Sequence, residues 1–355
     1  MTEIKFHPDP IEKLLLYDGI GESLCLAQTR TGRPAGLFIE RWHEKPYFLH
    51  VGLEAEGIVR DIMPSQNGAF IGVQHGVEVW AFMTLKSGAK LNIGERLPIR
   101  VVSEPHSNKF ARVVRRPPPP KQPTSPPSAL DCWRSLLVLP DQIAIEHSES
   151  VDAFEDALEW GEVLNAATPN GASVKFGLTD ALTAIDIDTN KWHVKQPPHR
   201  RARAVNAEAI HTVARELSYR SIGGISVLDC IGPIAAEDRN PLKDLMMKAW
   251  RTYRHGPMQV LSPSPLGLME MSFARTTAPL HTRLFDPNTR DLSPASIALR
   301  AFRRGEMEAK TNRAQDIRIT LPDDAFAWHK ENEKTHMEAF LARYGARISV
   351  EHSPE

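Results

Sequence analysis

With 355 residues, 41% hydrophobic and 25% charged, the chain is long enough to bury a sizeable core in two or three domains, which excludes a peptide or a disordered tail. Lys plus Arg (43) against Asp plus Glu (44) leaves a net charge of -1, so no global positive excess draws it to nucleic acid or membrane, and any polyanion site is local. Cys25, Cys132 and Cys230 form no CxxC pair and have no histidines nearby at zinc-finger spacing, which makes a reducing cytoplasm the simplest compartment.

The first residues carry only a short apolar run, Leu14 to Tyr17, with acidic residues on both sides. They are expected to be neither a signal peptide nor a membrane span. Short β-like signals follow: Leu14–Tyr17, Ser23–Ala27, Gly36–Glu40, Gly57–Ile62, Ala69–Val73, Val77–Met83 and Leu97–Val102, separated by turns rich in Gly, Asn and Pro. They predict a small barrel. From residue 117 to 128, seven of the chain's 28 prolines fall in a stretch almost without apolar side chains, which reads as a polyproline linker.

Beyond it, Ser173–Phe176 and Leu182–Ile187 read as strands, Val205–Ser218 as a helix and Gly224–Ile231 as a buried strand. Leu242, Leu245, Met246, Ala249, Trp250 and Tyr253 share one helical face. Asn240 is the expected cap of that helix, and Pro241 its first residue. Strands are predicted at Met258–Leu261 and Leu266–Met271 around a Ser-Pro-Ser-Pro turn. A last unit reads as strand Asp316–Leu321, helix Asp324–Tyr344 and strand Ala346–Val350.

In the strand ALTAIDID, alternation puts Asp186 and Asp188 on one face. The apolar strand Gly224–Leu228 also finishes in a carboxylate, Asp229, 43 residues after Asp186; one helix between them suffices for a crossover that makes the strands neighbours. Converging carboxylates suit magnesium, although aspartate at a strand end is also a common turn or helix cap.

Lys243, Lys248, Arg251 and Arg254 turn away from the apolar face of their helix, either to contact phosphates or as a plain solvated face. In the barrel, Phe70, Phe82 and Lys109 suit base stacking and phosphate contact on an OB-type surface, while core packing explains a single Phe equally well. His329 and His336, seven apart on a helix, read as surface residues. No HExxH, GxSxG or glycine-rich phosphate loop is present.

ALTAIDIDTN, VNAEAIHTVARELSYRSIGGISVLDCI and LSPSPLGLMEMSFAR resemble, in order and spacing, the catalytic segment of the ribonuclease E/G family. EGIVRDIMPSQNGAFIGV resembles the start of that family's RNA-binding OB barrel, and KLLLYDGIGESLCLA the segment before it. The resemblance implies a mixed α/β and β multidomain chain. N-terminal strands (1–40) would pack on the nuclease part, followed by an OB-type barrel (41–116), the linker (117–128), an α/β catalytic domain (129–280) and a small C-terminal βαβ domain (281–355).

It further implies a cytoplasmic, magnesium-dependent endoribonuclease that cleaves single-stranded RNA. Asp186, Asp188 and Asp229 would be the catalytic residues, with Asp186 and Asp229 holding the metal, and Phe70, Phe82 and Lys109 would grip RNA. Arg251 and Arg254 are carried as further RNA contacts.

Three departures stand out. Asp188 occupies the place of a family asparagine, so it either becomes another ligand or weakens catalysis. The family's zinc-binding cysteine pair is missing after Arg275, so a homodimer, if formed, is not zinc-linked. The linker and residues 129–167 replace a longer stretch with a 5'-monophosphate sensor, so that preference is not expected. The competing readings are an inactive RNA-binding or ribosome-assembly protein of the same fold, and a phosphodiesterase acting on DNA or a small nucleotide.

Overall fold

The computed structural model describes residues 7–86, 90–107, 109–116 and 127–353. At the N-terminus β1 (Ile11–Asp18), β2 (Glu22–Thr29) and β3 (Pro34–Arg41) form an antiparallel meander. Strand β2 is buried on both faces: Cys25 and Ala27 meet Trp133, while Leu24 and Leu26 join a second cluster with Phe154 and Tyr219. A strand covered on both sides carries a continuous apolar run rather than clean alternation, as SLCLA does.

The barrel strands are β4 (Glu54–Met63), β5 (Gly68–His75), β6 (Val77–Thr84), β7 (Arg96–Ser103) and β8 (Ala111–Arg115). Among the described residues they close in the order β4-β5-β6-β8-β7, with β6 and β8 parallel. Alternation sends Val59, Ala69, Ile71, Val73, Ala81, Met83, Ile99 and Val113 inward to a core of their own. Residues 117–126 of the predicted linker lie outside the described residues. Its last residue, Ser128, is a helix cap, accepting the Asp131 amide at 3.1 Å to open α1 (Ala129–Arg134).

After α1 the chain adds β9 (Ile145–His147), parallel to β1, and then α2 (Asp152–Glu162). The next unit runs β10 (Asn165–Ala167), β11 (Ser173–Leu178), β12 (Thr183–Asp188), α3 (Pro198–Tyr219), β13 (Gly224–Asp229), α4 (Ala236–Trp250), β14 (Met258–Val260) and β15 (Leu268–Phe273). Its sheet order is β10-β11-β12-β13-β15-β14, with β12 and β13 parallel across the α3 crossover. Val174, Phe176, Ile185, Ile187, Leu228, Met269 and Met271 turn one sheet face into a core shared with Val205, Ala209 and Val213 of α3 and Leu242 and Met246 of α4. The opposite face is left open and mixed, with Lys175, Asp186, Asp229 and Glu270 beside Ala184, Ile225 and Val227.

Helix α4 begins earlier than its sequence suggests. Ala235 precedes its first turn, Glu237 and Asp238 suit the positive end of the dipole, and Pro241 lies inside the helix. Asn240 is not the cap, because its Oδ1 accepts a 2.7 Å bond from Ser262.

The chain continues through α5 (Leu280–Leu284), α6 (Pro294–Thr311), β16 (Ile317–Leu321), α7 (Asp323–Glu331), α8 (Glu333–Tyr344) and β17 (Ile348–His352), with β16 and β17 parallel. The expected single helix 324–344 is thus two, broken at Asn332, where the backbone leaves helical geometry at φ -121 and ψ 11. The break turns both histidines inward. Contrary to expectation, His329 and His336 are buried, stacked on each other and packed edge-on against Phe302 of α6. Their Nδ1 atoms lie 3.2 Å apart. Among the described residues no helix is long and apolar enough to cross a membrane.

Candidate functional site

The parallel register of β12 and β13 pairs Ala184 with Val227 and Ile185 with Leu228, so the next position on each strand is Asp186 and Asp229. Both are exposed, and both stand on the face that the helices leave open. Neighbouring strands run about 4.8 Å apart, which brings two side chains at the same level within reach of one small ion. Oxygen donors of this kind suit a hard divalent cation. Among the described residues no group of three or more His, Cys, Asp and Glu is arranged to hold a metal. Two carboxylates by themselves suit an ion that keeps most of its water, as magnesium does.

The tip of β13 is fixed from two sides. Asn206 of α3, fully buried, donates from Nδ2 to the Ile231 carbonyl at 2.9 Å and accepts the Ile231 amide at 2.8 Å through Oδ1. On the other side the Cys230 amide donates to the Gly267 carbonyl at 3.1 Å. Gly267 has φ +92, and a Cβ there would meet the Cys230 carbonyl at 3.1 Å and stand 4.0 Å from Asp229 Oδ1. The serine-proline turn can approach the carboxylate because this residue is glycine. Cys230 itself is buried, and burial followed by the Asp229 charge pushes its thiol up to about 12, so it is no nucleophile.

Asp188, two residues beyond Asp186, is engaged elsewhere. Lys175 on β11, which lies opposite Asp186 in the antiparallel register, donates to Asp188 Oδ2 at 2.8 Å, and the Asn190 amide donates to Oδ1 at 2.9 Å. The lysine bond, then the amide, holds this carboxyl below its ordinary range, while the same bond raises Lys175. Alternation in SVKFGL places Lys175 on the carboxylate face, and that was the sequence signal for a residue the motif reading passed over.

On the barrel, Phe70 and Phe82 are cross-strand partners that point outward, with ring centroids 5.5 Å apart. Trp80 and Phe110 join them at 5.8 and 5.3 Å from Phe70, and the Arg112 guanidinium lies 5.9 Å from the Phe82 ring centre. Trp80 and Phe110 are about half exposed, at 45% and 50%. Gly68 makes room for the cluster, since a Cβ there would come within 2.1 Å of the Phe82 ring. Lys109 is exposed beside Phe110 and pairs with His106 through the backbone. Trp80 was legible from the alternation of Val77–Met83, which sets it on the same face as Phe82.

The two arginines expected near RNA part company. Arg251 is exposed, just past the end of α4 and on the helix side of the sheet. Arg254 is a correction: it is buried, donating to the Ser218 carbonyl and to Ser221 Oγ, both at 3.0 Å, where burial lowers it to about 10. It ties α3 to the segment after α4 and is out of reach of RNA. Its helical face had been extrapolated one turn past the true end of α4.

Residues 154–276 match the Ribonuclease E/G family model, a span that contains Asp186, Asp188, Asn206 and Asp229 but not the barrel. The chain is 28% identical to ribonuclease E of Escherichia coli (strain K12) over 175 residues, covering 48% of this chain and 16% of that protein. Against ribonuclease E of Haemophilus influenzae it is 32% identical over 127 residues, 36% of this chain and 14% of the relative. Against ribonuclease G of the same organism it is 29% identical over 136 residues, 38% and 28%. The chain thus spans less than a third of the length of these relatives. The likeness to the ribonuclease E/G family thus lies in the segment that carries both strand-tip carboxylates and their support.

Proposed function

We propose that the chain is an endoribonuclease that cuts single-stranded RNA with magnesium at Asp186 and Asp229. The observation that carries this reading is the placement of those two carboxylates at adjacent positions on the exposed face of parallel strands. Magnesium, when bound, would activate water and neutralise charge at the phosphorus, giving 5'-phosphate and 3'-hydroxyl ends.

The remaining work falls to the chain itself. Asp186 and Asp229 hold the ion, and Asn206 and Gly267 set the tip that presents Asp229. Lys175 draws Asp188 aside and cancels its charge. The barrel acts as an OB-type platform, stacking bases on Phe70, Trp80, Phe82 and Phe110 while Lys109 and Arg112 meet phosphate. Cys25, Cys132 and Cys230 are buried thiols, in keeping with a reducing cytoplasm.

The Lys175–Asp188 bond favours an active enzyme over a binding protein that has lost its chemistry, because the extra carboxylate arrives with its own cation. The test is cleavage of a fluorescent A/U-rich RNA with magnesium and with chelator. Magnesium-dependent internal cuts that vanish in Asp186→Asn and Asp229→Asn support the proposal; wild-type protein as inert as either variant defeats it.

A further inference from the structure

We propose that residues 191–203 form a second RNA contact, a cationic strip that holds backbone phosphates beyond the carboxylate pair, at the end of the catalytic sheet away from the barrel. This rests on the RNA-cleaving reading above and extends it to the path of the strand. From Thr189 to Ala207 the sequence contains no Asp or Glu but carries Lys191, Lys195, Arg200, Arg201 and Arg203. In a chain of net charge -1, this is a local excess that begins directly after Asp188.

Lys191, Lys195, Arg200 and Arg201 are exposed. Arg203 meets Asp238 at 3.2 Å, but among the described residues none of the other four is in an ion pair. The strip is also held in place. The Trp192 amide donates to the Thr189 carbonyl at 3.0 Å and Arg201 to Thr189 Oγ1 at 3.3 Å. Gly171, at φ +90, lies so close beneath it that a Cβ there would stand 2.2 Å from the Lys191 carbonyl oxygen. The segment ends in the first turns of α3, a 22-residue helix without a side-chain cap, whose free amides add positive potential on the same side.

Register orders these parts along the sheet. Strands β12 and β13 run parallel with Asp186 level with Asp229, and β12 continues two residues to Asp188, after which the strip begins. The barrel meets the sheet at the other end: the Glu104 amide donates to the Thr276 carbonyl and its carboxylate accepts the Ala278 amide, both at 2.8 Å. Thr276 follows the end of β15, whose Phe273 pairs with Gly224 at the start of β13. From Gly224 to Asp229 the strand rises about 17 Å. A strand of RNA leaving the barrel and crossing the carboxylates would next meet the strip. Exposed, unpaired cations on a held loop suit a flexible polyanion, and single-stranded RNA is the one the adjoining site already takes.

The test measures affinity for a fluorescein-labelled single-stranded 12-mer RNA across a potassium chloride series, in the Asp186→Asn background so that binding is read without cleavage. The triple variant Lys191→Gln, Lys195→Gln, Arg200→Gln should bind at least about tenfold more weakly at 0.1 M salt, with a log–log salt slope shallower by about two. The charge-conserving Lys191→Arg, Lys195→Arg, Arg200→Lys should restore both, which separates charge from folding. Phe82→Ala should weaken binding with the slope unchanged. If the triple variant matches its parent while Phe82→Ala still weakens binding, the strip is overturned and the barrel reading stands. If the parent binds no RNA at all, both fall.

Discussion

Lys175 Nζ stands 2.8 Å from Asp188 Oδ2, on the strand register that also places Lys175 opposite Asp186. A third carboxylate beside the proposed catalytic pair would repel both the phosphate and its neighbours; an adjacent ammonium offsets that penalty without displacing either proposed metal ligand. Lys175→Met should therefore lower kcat/KM roughly fivefold, and Asp188→Asn in that background should recover most of the loss. A double-mutant cycle in steady-state kinetics measures it. Additive losses would show that the two side chains do not act as a pair.

Trp80 and Phe110 extend the proposed stacking surface beyond the two phenylalanines anticipated from sequence. Each stacked base is worth about 1–3 kcal/mol, so Trp80→Ala or Phe110→Ala should weaken RNA binding between about fivefold and a hundredfold. Both rings face outward, so melting temperature should hold within about 2 °C. Fluorescence anisotropy and thermal scans of the same samples report the two quantities.

Asn206 spends both ends of its amide on the backbone of Ile231, two residues after Asp229. Asn206→Ala leaves the part-buried amide and carbonyl of Ile231 without this partner, at a cost of about 1–3 kcal/mol in all. Urea unfolding should show that loss. Cleavage should fall through kcat with KM little changed, since the variant loosens the tip that presents Asp229 and leaves the barrel alone.

Burial, then its neighbours His329 and His43, lowers His336 from its ordinary value to about 4; burial likewise lowers His329. In the unfolded chain these rings take up protons near pH 6.5, while in the folded chain both do so at lower pH, His336 only near pH 4. Stability is therefore fully present above pH 6.5 and is lost as pH falls toward 4, on the order of 3 kcal/mol for His336 alone. Melting temperature between pH 7.5 and 4.5 should decline, and His336→Gln should flatten the decline. Equal slopes in both proteins would refute the assignment.

The parts of the fold that were legible in the sequence were those governed by short-period alternation. ALTAIDID alternates so that Asp186 and Asp188 share a face, GISVLD reads as an apolar strand ending in a carboxylate, and the carboxylates could be set side by side because a crossover helix separates the strands. Helix α6 was not legible, because its buried stripe is partly ionic: Arg303 binds Glu22 and Glu155, and Glu306 accepts from Tyr17 at 2.9 Å. An apolar-periodicity reading takes such residues for a solvent face. The same assumption placed His329, His336 and Arg254 on the surface, where a helix break and an earlier helix end turn them inward.

In the proposed site Asp186 and Asp229 share a single cation, and manganese binding followed by electron paramagnetic resonance reads that directly. Wild-type protein should take up one ion at this site, each of Asp186→Asn and Asp229→Asn should lose it, and the double variant should be no weaker than either single one. Retention of the ion by both single variants would contradict the account.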